Sequence, residues 1–374
     1  MQVRQIDTSN PGDVRKFIRF PSTLYKGNPY WVPTMEGEMK AALNPKAHPF
    51  YQHSQAAFFV AESDKKVFGR LAVLDNKRYR QTPKKSATGL FYYFEVVEDI
   101  KVAEALFETG IHWAKEQGID TLTGPKGLAQ GDSIGILAEG FDFMPAMGIA
   151  YNMAYYPDFM ERLGFEKESD LLSGYLRADE YQLPERVHQL AEKIKKRRGF
   201  HVKQFSTKDE LRLWIPKVRE VYNQAFATVP EFVPITEDEV WLIADKILSI
   251  ADPRLLKLVF KGEDLVGFLF AYPNICKGLQ KTNGRLWPFG WLHLVREFKR
   301  TKAVDINGIG LLPEHQGLGA TAILYTELEK TVRDFNFEYA DLVQINETNM
   351  KSFGEASNLG ANWHKRHRIY AKKF

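Results

Sequence analysis

The sequence predicts a mixed α/β (α+β) protein built from two tandem copies of one mixed-sheet unit. Both halves of the 374 residues show the same order of strands and helices, and glycines recur at matching places in the two copies. The chain is also long for one compact domain, so two domains are expected. We place their boundary after residue 182, which gives domains at 1–182 and 183–374.

Each copy begins with a strand and a helix. The segments "MQVRQI" and "HVKQFS" alternate apolar and polar residues, as strands do. Asn10 before Pro11 predicts the start of the first helix. Thr207 and Glu210 predict a capping box before "LRLWIPKVREVYNQAF", in which Pro216 predicts a kink.

A hairpin follows in each copy, in "AAFFVAESDKKVFGRLAVL" and "LLKLVFKGEDLVGFLFAYP". A strand, a long helix and another strand come next, with the helices in "KVAEALFETGIHWAKEQG" and "TAILYTELEKTVRDF". Each copy then has a helix closed by glycine. Gly69 matches Gly267 in the hairpins, and Gly164 matches Gly360 at the helix ends. The separation along the chain from Gly69 to Gly267 almost equals that from Gly164 to Gly360, which fixes the register of the repeat.

The copies are joined by "ADEYQLPE" and a charged helix that ends in "KKRRG". Cations are stabilising at the C-terminal turn of a helix, because they face the negative end of its dipole. We therefore interpret the basic run as a solvated helix end rather than as a polyanion site.

Composition and charge argue against several classes of protein. The chain has 51 basic and 47 acidic residues, which is too balanced for a dedicated nucleic-acid-binding protein. Cys276 is the only cysteine, so an internal disulfide and a Cys-based zinc site are both excluded. No segment resembles a secretory signal or a membrane span. We expect a cytoplasmic protein with no metal, no nucleic-acid partner and no membrane span.

The segment "LLPEHQGLGA" joins a predicted strand to a predicted helix through a loop with Gly317 and Gly319. This arrangement commonly binds phosphate, because consecutive backbone N–H groups and the start of the helix converge on the anion. Glycine allows the backbone to approach that anion closely. The alternative is a plain strand–turn–helix connection.

With this loop in place, the order of elements resembles the GNAT superfamily (GCN-five-related N-acetyltransferases), and in particular its tandem-domain members. The family fingerprint is Gln or Arg, two residues, Gly, one residue, and Gly or Ala. Gln316 and Gly319 match this fingerprint, whereas Thr321 departs from it. A second family marker is an Asn that opens the last helix, here Asn349, with a Leu-Gly ending at 359–360.

The resemblance implies acetyl-CoA or another acyl-CoA as the bound group. Its pyrophosphate would lie on the glycine loop, and its pantetheine arm would pair with a strand that splays from its neighbour. The residues implied at this site are Ile309, Leu311, Gln316, Gly317, Leu318, Gly319, Ala320, Thr321, Asn349 and Ser352.

The first copy departs from this pattern at the equivalent place. It has Glu95, Glu98 and Asp99 there and no glycine, and carboxylates would repel a pyrophosphate. We therefore expect one acyl-CoA per chain, bound by the second copy. The first copy would be a degenerate unit that serves as a scaffold or a wall for the substrate.

Aminolysis of a thioester needs a neutral amine and a stabilised thiolate. The resemblance implies a Tyr acid in the last helix, but Ala356 stands at that place. It also implies a carboxylate base on the fourth strand, where Asp305 lies; the alternative for Asp305 is a strand-end residue bonded to a loop. Glu347 is a second candidate base, with a helix-start carboxylate as its alternative. Helical spacing assigns Tyr325 to the core.

Two other segments need an interpretation. "GDSIG", at 131–135, fits the nucleophile elbow of hydrolases, but a loop precedes it where that elbow needs a buried strand. We interpret residues 124–148 as a loop that lines the cleft between the halves. The insertion "GRLWPFGWLHLVREFKRTK", at 284–302, interleaves aromatic and basic residues. A membrane-surface element would have this pattern, but we favour a lid or a seam hairpin, in which most of the aromatics are buried between the domains.

These observations predict an acyl-CoA-dependent N-acyltransferase that transfers an acyl group, acetyl as the first expectation, to a small-molecule or peptide amine at the cleft. One alternative is a non-catalytic acyl-CoA-binding or regulatory protein, suggested by Ala356. Another is an aminoacyl-tRNA-dependent transferase of the peptidoglycan type. The glycine loop argues against this second alternative, because such an enzyme needs no pyrophosphate site.

Overall fold

The computed structural model describes residues 1–180, 183–229, 231–316 and 319–374. Its strands are β1 (Gln2–Gln5), β2 (Gln55–Ser63), β3 (Lys66–Asp75), β4 (Thr88–Val96), β5 (Thr121–Gly124), β6 (Ile136–Glu139), β7 (Glu166–Arg177), β8 (Phe200–Lys203), β9 (Leu256–Lys261), β10 (Asp264–Pro273), β11 (Ala303–Leu311), β12 (Tyr339–Asn346) and β13 (Asn362–Lys373). Its α-helices are α1 (Pro11–Leu24), α2 (Glu36–Leu43), α3 (Ile100–Glu116), α4 (Tyr156–Arg162), α5 (Glu185–Arg198), α6 (Lys208–Arg212), α7 (Ile215–Ala225), α8 (Glu237–Ile250), α9 (Cys276–Thr282), α10 (Gly290–Phe298), α11 (Ala320–Asp334) and α12 (Met350–Asn358).

The strands form one mixed sheet that passes through both halves of the chain. Their order is β1-β2-β3-β4-β5-β13-β7-β12-β11-β10-β9-β8, and β6 pairs with β13. The β4–β5 and β11–β12 pairs are parallel, and the other described pairs are antiparallel. Strands β1–β5 and β8–β12 therefore repeat one arrangement on the two sides of a shared centre.

The closing strands of the two halves are exchanged at that centre. Strand β13, at the end of the chain, pairs with β5 of the first half, where Lys373 lies opposite Thr121. Strand β7 pairs with β12 of the second half, where Arg177 lies opposite Tyr339. The halves therefore share the hydrogen bonds of one sheet. The predicted boundary after residue 182 lies beside residues 181–182, which are outside the described ranges, and it stays a prediction.

Helices cover both faces of the sheet in the first half. Successive strand residues point to opposite faces, so Phe58 packs with α1 and α2 while Phe59 packs with α3. In the second half, Ile194 of α5 and Ile323 of α11 lie in one buried core with Phe268 of β10. This packing places α5, the helix with the basic end, directly against α11.

Several predicted elements are confirmed in detail. The Asn10 side-chain oxygen accepts hydrogen bonds from the backbone N–H groups of Gly12 and Asp13 at the start of α1. Gly164 and Gly360 have φ values of 77° and 79°, the left-handed conformation expected after a helix end.

The region around Pro216 differs from the prediction. Pro216 does not kink a continuous helix, because it lies in the first turn of a separate helix, α7, where a proline costs no hydrogen bond. Thr207 does accept from the Glu210 N–H, but the Glu210 carboxylate accepts from the Ser206 N–H at 2.9 Å. A complete capping box is found instead at the start of α8.

The insertion at 284–302 lies across the seam, but the prediction that its aromatics are buried is wrong. The Gly284 carbonyl accepts from the Glu36 N–H of the first half, and Arg285 Nε donates to the Glu36 carboxylate, both at 2.8 Å. Just before the insertion, Gln280 Nε2 of α9 donates to the carbonyls of Pro29 and Trp31, at 2.9 and 2.8 Å. The side chains of Trp287 and Phe289 nevertheless remain 81% and 69% exposed, and α10 contains no buried residue. The seam is closed by polar contacts of α9 and by an apolar cluster in which Leu279 and Leu294 pack with Met147 of the first half. The other large apolar side chains of α10 face outward.

Among the described residues, no helix is both long enough and apolar enough to cross a bilayer.

Candidate functional site

Strands β11 and β12 pair along only part of their length and then separate. The parallel pairing runs from Ala303 with Tyr339 to Ile306 with Leu342, although β11 continues to Leu311. On its other edge, β11 stays paired with β10 up to Leu311. Among the described residues, the backbone groups of 307–311 that face β12 therefore have no strand partner. Such an edge can bind an extended, amide-containing ligand as an added strand.

A β-bulge at Asn307 marks the point of separation. Phe270 lies opposite Gly308, and Ala271 lies opposite Ile306, so Asn307 is the extra residue on β11. A bulge bends its strand and increases the local twist. This bend directs the rest of β11 away from β12.

The separated strands open into a cavity of about 1960 Å³ that both halves line. The second half contributes β11, β12 and one face each of α11 and α12, and the first half contributes the loop residues 125–136 and 146–152. The residues that sequence reasoning assigned to the cofactor and that lie on this wall are Ile309, Leu311, Gln316, Thr321, Asn349 and Ser352.

The other assigned residues lie elsewhere. Ala320 is buried beneath the first turn of α11 and is not among the described residues of the wall. Gly317 and Leu318 lie outside the described residues.

Gly319, also off the described wall, is favoured by its own backbone and lies against the end of the Ile194 side chain of α5. Its φ is 86°, in the region that favours glycine, and it is the residue before α11. A Cβ at this position would lie 2.0 Å from Ile194 Cδ1. The glycine therefore has a structural role in addition to the anion-binding role that the sequence suggested.

Asn349 caps α12, as its place in the family pattern implied. Its side-chain oxygen accepts a hydrogen bond from the Ser352 N–H at 3.1 Å. This contact fixes the start of α12 at the edge of the cavity, with Ser352, Glu355 and Ala356 along the wall.

The equivalent place in the first half is filled by the chain itself. Glu95 forms two hydrogen bonds with the guanidinium of Arg70, at 2.6 and 3.0 Å. The Asp99 carboxylate accepts from the Lys101 N–H at 3.0 Å and so caps α3, and Glu98 is exposed. The start of α3 is thus occupied by a carboxylate, whereas the start of α11 adjoins the cavity.

Asp305 is fully buried and is not among the described residues of the cavity wall. Its carboxylate accepts from the Met147 backbone N–H at 2.7 Å and from Asn274 Nδ2 at 3.0 Å. Burial, together with the neighbouring Asp341 carboxylate, raises the pKa of Asp305 to about 7. This geometry favours the alternative in which Asp305 is a strand residue bonded to a loop, because it holds the loop around Met147 against β11.

Lys365 compensates the charge of Asp341. Its Nζ donates to Asp341 at 3.2 Å and to the Met144 carbonyl at 2.9 Å. Burial alone would raise the pKa of Asp341, but Lys365 and His364 outweigh it and the pKa is lowered. A buried carboxylate pair thus ties β11 and β12 to the loop of the first half.

Glu347 is also engaged away from the cavity. It pairs with Lys167 Nζ at 2.9 Å and accepts from the Asp170 N–H at 3.0 Å. It therefore joins the end of β12 to β7, and the described cavity wall does not include it.

Tyr325 and Glu355 form a polar pair on the wall that sequence reasoning missed. The Tyr325 hydroxyl donates to Glu355 Oε2 at 3.0 Å, and both residues line the cavity beside Ala356. Tyr325 is half-buried rather than part of the core. Its spacing from Thr321 is one helical turn, which puts both residues on one face of α11. That spacing was a signal in the sequence that could have revealed the pair.

Ser133 of "GDSIG" is a buried loop residue. Its Oγ accepts from the Ala150 N–H at 2.7 Å, and residues 131–135 line the cavity as part of the loop. This hydrogen bond ties together the two segments of the first half that form the wall.

A second polar cluster crosses the cavity between the halves. Lys85 Nζ lies 2.6 Å from Glu168 and 2.7 Å from Glu231, and the Tyr79 hydroxyl donates to Glu231 at 2.6 Å. Although burial opposes it, the positive charge of Lys126 lowers the pKa of Glu231. The cluster holds the α7–α8 connection against the first half.

Two known proteins are similar in sequence to this chain over nearly its whole length. A scan against protein-family models finds no match. Protein YghO of Escherichia coli (strain K12) is 27% identical over 375 residues, covering 97% of this chain and 94% of that protein. Bacterial ceramide synthase of Caulobacter vibrioides (strain NA1000 / CB15N) is 25% identical over 377 residues, covering 98% of this chain and 96% of that protein.

Solved structures with the same architecture include two GNAT proteins. A tandem GNAT protein from the clavulanic acid biosynthesis pathway superimposes with a TM-score of 0.57 at 13% identity, covering 100% of this chain and 98% of the other. The GCN5-related N-acetyltransferase from Sphaerobacter thermophilus gives 0.51 at 14% identity, covering 100% and 95%. This chain therefore has the tandem GNAT fold, as the sequence resemblance implied.

Proposed function

We propose that this chain is an acyl-CoA-dependent N-acyltransferase with one coenzyme site, between β11 and β12 of the second half. The observation that carries the proposal is the separation of these two parallel strands beside the start of α11. Similarity to GNAT acetyltransferases supports an acyl-transfer function. The first half supplies a wall of the cavity, and its own helix start is capped by Asp99.

The residues present fit a coenzyme A thioester. The unpaired edge of residues 307–311 offers backbone donors and acceptors to the amides of the pantetheine arm. The start of α11, with Gln316 and Thr321 on the cavity wall, would face the pyrophosphate. When bound, the thioester supplies the acyl group.

The protein has to move protons while the C–S bond of the thioester is replaced by the C–N bond of an amide. The amine nitrogen bonds to the thioester carbonyl carbon, the C–S bond breaks, and the departing sulfur needs a proton. We propose that Tyr325 Oη gives this proton, because Ala356 stands where the family resemblance implies a tyrosine. Glu355 would hold the hydroxyl at the cavity through its 3.0 Å hydrogen bond, and the O–H would turn from Glu355 to the sulfur to deliver the proton. The proton lost by the amine then restores the tyrosine through solvent.

We propose no protein base for the amine. The described cavity wall includes neither Asp305 nor Glu347, and both carboxylates are engaged in contacts that join the halves. The amine would therefore react as its free base, and turnover should rise with pH until the bound amine is deprotonated.

The size of the cavity supports an acceptor amine carried on a long hydrocarbon chain. Ligand pockets are typically roughly 300–1,000 Å³, so a cavity of about 1960 Å³ has room for the coenzyme arm and a second large substrate. One relative over nearly the whole chain is called a bacterial ceramide synthase. A ceramide is the N-acyl derivative of a long-chain amino alcohol, which is the class of acceptor we propose here.

The test begins with a thermal-shift panel of coenzyme A thioesters, from acetyl to palmitoyl, on the intact chain. Thiol release is then measured with sphinganine, with short polar amines and with peptides. The proposal predicts stabilisation by at least one thioester and thiol release with a long-chain amine. Stabilisation without thiol release from any amine would instead favour the non-catalytic acyl-CoA-binding alternative. Transfer from aminoacyl-tRNA without any response to coenzyme A would favour the peptidoglycan-type alternative.

A further inference from the structure

An exposed apolar surface lies on and beside α10. Seven of the fourteen large apolar side chains that are exposed among the described residues fall between positions 286 and 298. We call these seven residues the α10 patch: Leu286, Trp287, Phe289, Trp291, Leu292, Val295 and Phe298. A concentration of this kind marks an interaction surface, because single exposed apolar residues are normally scattered.

The patch is presented outward by the way α10 packs on α9. Trp291, Val295 and Phe298 are spaced at i, i+4 and i+7 and share one helix face. The opposite side of α10 lies against α9, where a Cβ on Gly278 would come within 2.8 Å of Glu297 Cβ. The apolar face is therefore fixed on the outside, with no described segment of the chain folded over it.

Basic residues are concentrated in the segment that carries the α10 patch. Between 277 and 302 the chain has seven Lys and Arg residues and one Glu, whereas the whole chain is nearly balanced, with 51 basic and 47 acidic residues. Arg285 pairs with Glu36 at 2.8 Å. Within the described residues, Arg296, Lys299 and Arg300 form no ion pair. Their charge is available to an external partner.

We propose that the α10 patch docks the protein on the surface of an anionic lipid bilayer, with α10 lying in the plane of the interface. Helices with an apolar aromatic face and a basic rim bind in this way, because apolar burial and attraction to anionic lipids act together. Tryptophan is well suited to the membrane–water interface, since its ring is apolar and its N–H can form hydrogen bonds with the lipid headgroups. A second copy of this chain fits less well, because a symmetric pair would bring two basic rims together.

The α10 patch is continuous with the cavity. Leu286 and Trp287 belong to the patch and also line the cavity that opens between β11 and β12. A lipid amine could therefore pass from the bilayer into the cavity along apolar side chains. This route rests on the proposed function, whereas docking on the bilayer does not.

The experiment is co-sedimentation of the intact chain with vesicles of phosphatidylcholine, alone or mixed with phosphatidylglycerol. The wild type should bind the anionic vesicles and be released by high salt. Lys299→Glu with Arg300→Glu should weaken binding at least about tenfold, because each cation near the surface contributes attraction. Trp287→Ala with Phe289→Ala should weaken it by a similar factor.

Two matched controls keep the test specific. Leu213 is as exposed as Trp287, at 81% each, so Leu213→Ala removes an exposed apolar side chain outside the patch. Lys196→Glu with Arg197→Glu reverses two exposed charges at the end of α5. Both controls should bind anionic vesicles like the wild type.

Two results would overturn the docking proposal. One is a wild type that does not bind phosphatidylglycerol vesicles, and the other is an equal loss of binding in the patch variants and the controls. Analytical ultracentrifugation tests the competing occupant, a second copy of this chain. If the wild type is a dimer that does not bind vesicles, and Trp287→Ala with Phe289→Ala converts it to a monomer, the patch is an interface between two copies of the chain. The coenzyme A thermal shift, measured in the same variants, reports the proposed function separately.

Discussion

The hydroxyl of Tyr325 and the carboxylate of Glu355 are hydrogen-bonded at 3.0 Å across the gap between α11 and α12. Both side chains line the cavity, and Ala356 lies next to Glu355 where the family resemblance implied a tyrosine. The pair places a hydroxyl beside Ala356, and we propose that this hydroxyl turns from Glu355 to protonate the leaving sulfur.

Tyr325→Phe should therefore lower kcat by about a hundredfold with little change in thioester affinity, because the variant keeps the ring and removes the proton donor. The measurement is steady-state thiol release with the amine found in the screen. Tyr222→Phe is the control, since Tyr222 also lines the cavity but lies on α7. Equal losses in the two variants, or none in either, would remove Tyr325 from the proposed mechanism.

Gly319→Ala should destabilise the protein by about 1–3 kcal/mol, because it puts a side chain on a left-handed backbone and forces the end of the Ile194 side chain to turn away from the new Cβ. Ile194→Ala should relieve the clash, so the double variant should lose less stability than the two single losses added together. Urea unfolding of the four proteins measures this coupling. Strict additivity would contradict the role of α5 in fixing this glycine.

Asp305→Asn should change the pH dependence of stability. Burial raises the folded-state pKa of Asp305 to about 7, well above the ordinary aspartate value of 3.8, so this carboxyl costs the folded state stability as pH rises between those values. The variant lacks this cost. Its stability relative to the wild type should therefore improve by about 2 kcal/mol between about pH 5 and about pH 8.

Urea unfolding across this range, together with thiol release in the same preparations, decides the role of Asp305. The anchoring role predicts lower stability of the variant at about pH 5, where the contacts to Met147 and Asn274 are disturbed. A variant with unchanged unfolding but a hundredfold lower kcat would instead make Asp305 the catalytic base.

Local signals in the sequence predicted most of the individual elements. Asn10 predicted the start of α1, and Gly164 and Gly360 predicted two helix ends, because caps and left-handed turns depend on residues close in sequence. The repeat also predicted the tandem fold. The complete capping box of Thr236 and Glu239 at the start of α8 follows the same local rule.

Features that depend on distant residues were not predictable in this way. The exchange of β7 and β13 between the halves follows from strand pairing across the whole chain, which alternation alone does not specify. The family resemblance put Asp305 on the fourth strand, but it could not show that the loop around Met147 covers this carboxylate. The pattern of α10 likewise indicated an apolar face without indicating that this face would be exposed.

Titration calorimetry of the intact chain with a coenzyme A thioester counts the binding sites, and we predict one site per chain, at the start of α11. Thr321 lies on the cavity wall, so Thr321→Glu places a carboxylate where the pyrophosphate would bind and should weaken affinity at least about tenfold. Thr326→Glu places the same charge on α11 at a position that is not among the described residues of the wall, and it should bind like the wild type. We expect a stoichiometry of one, with affinity lost only in Thr321→Glu. No binding, two sites per chain, or equal affinity in both variants would rule out a single site at the start of α11.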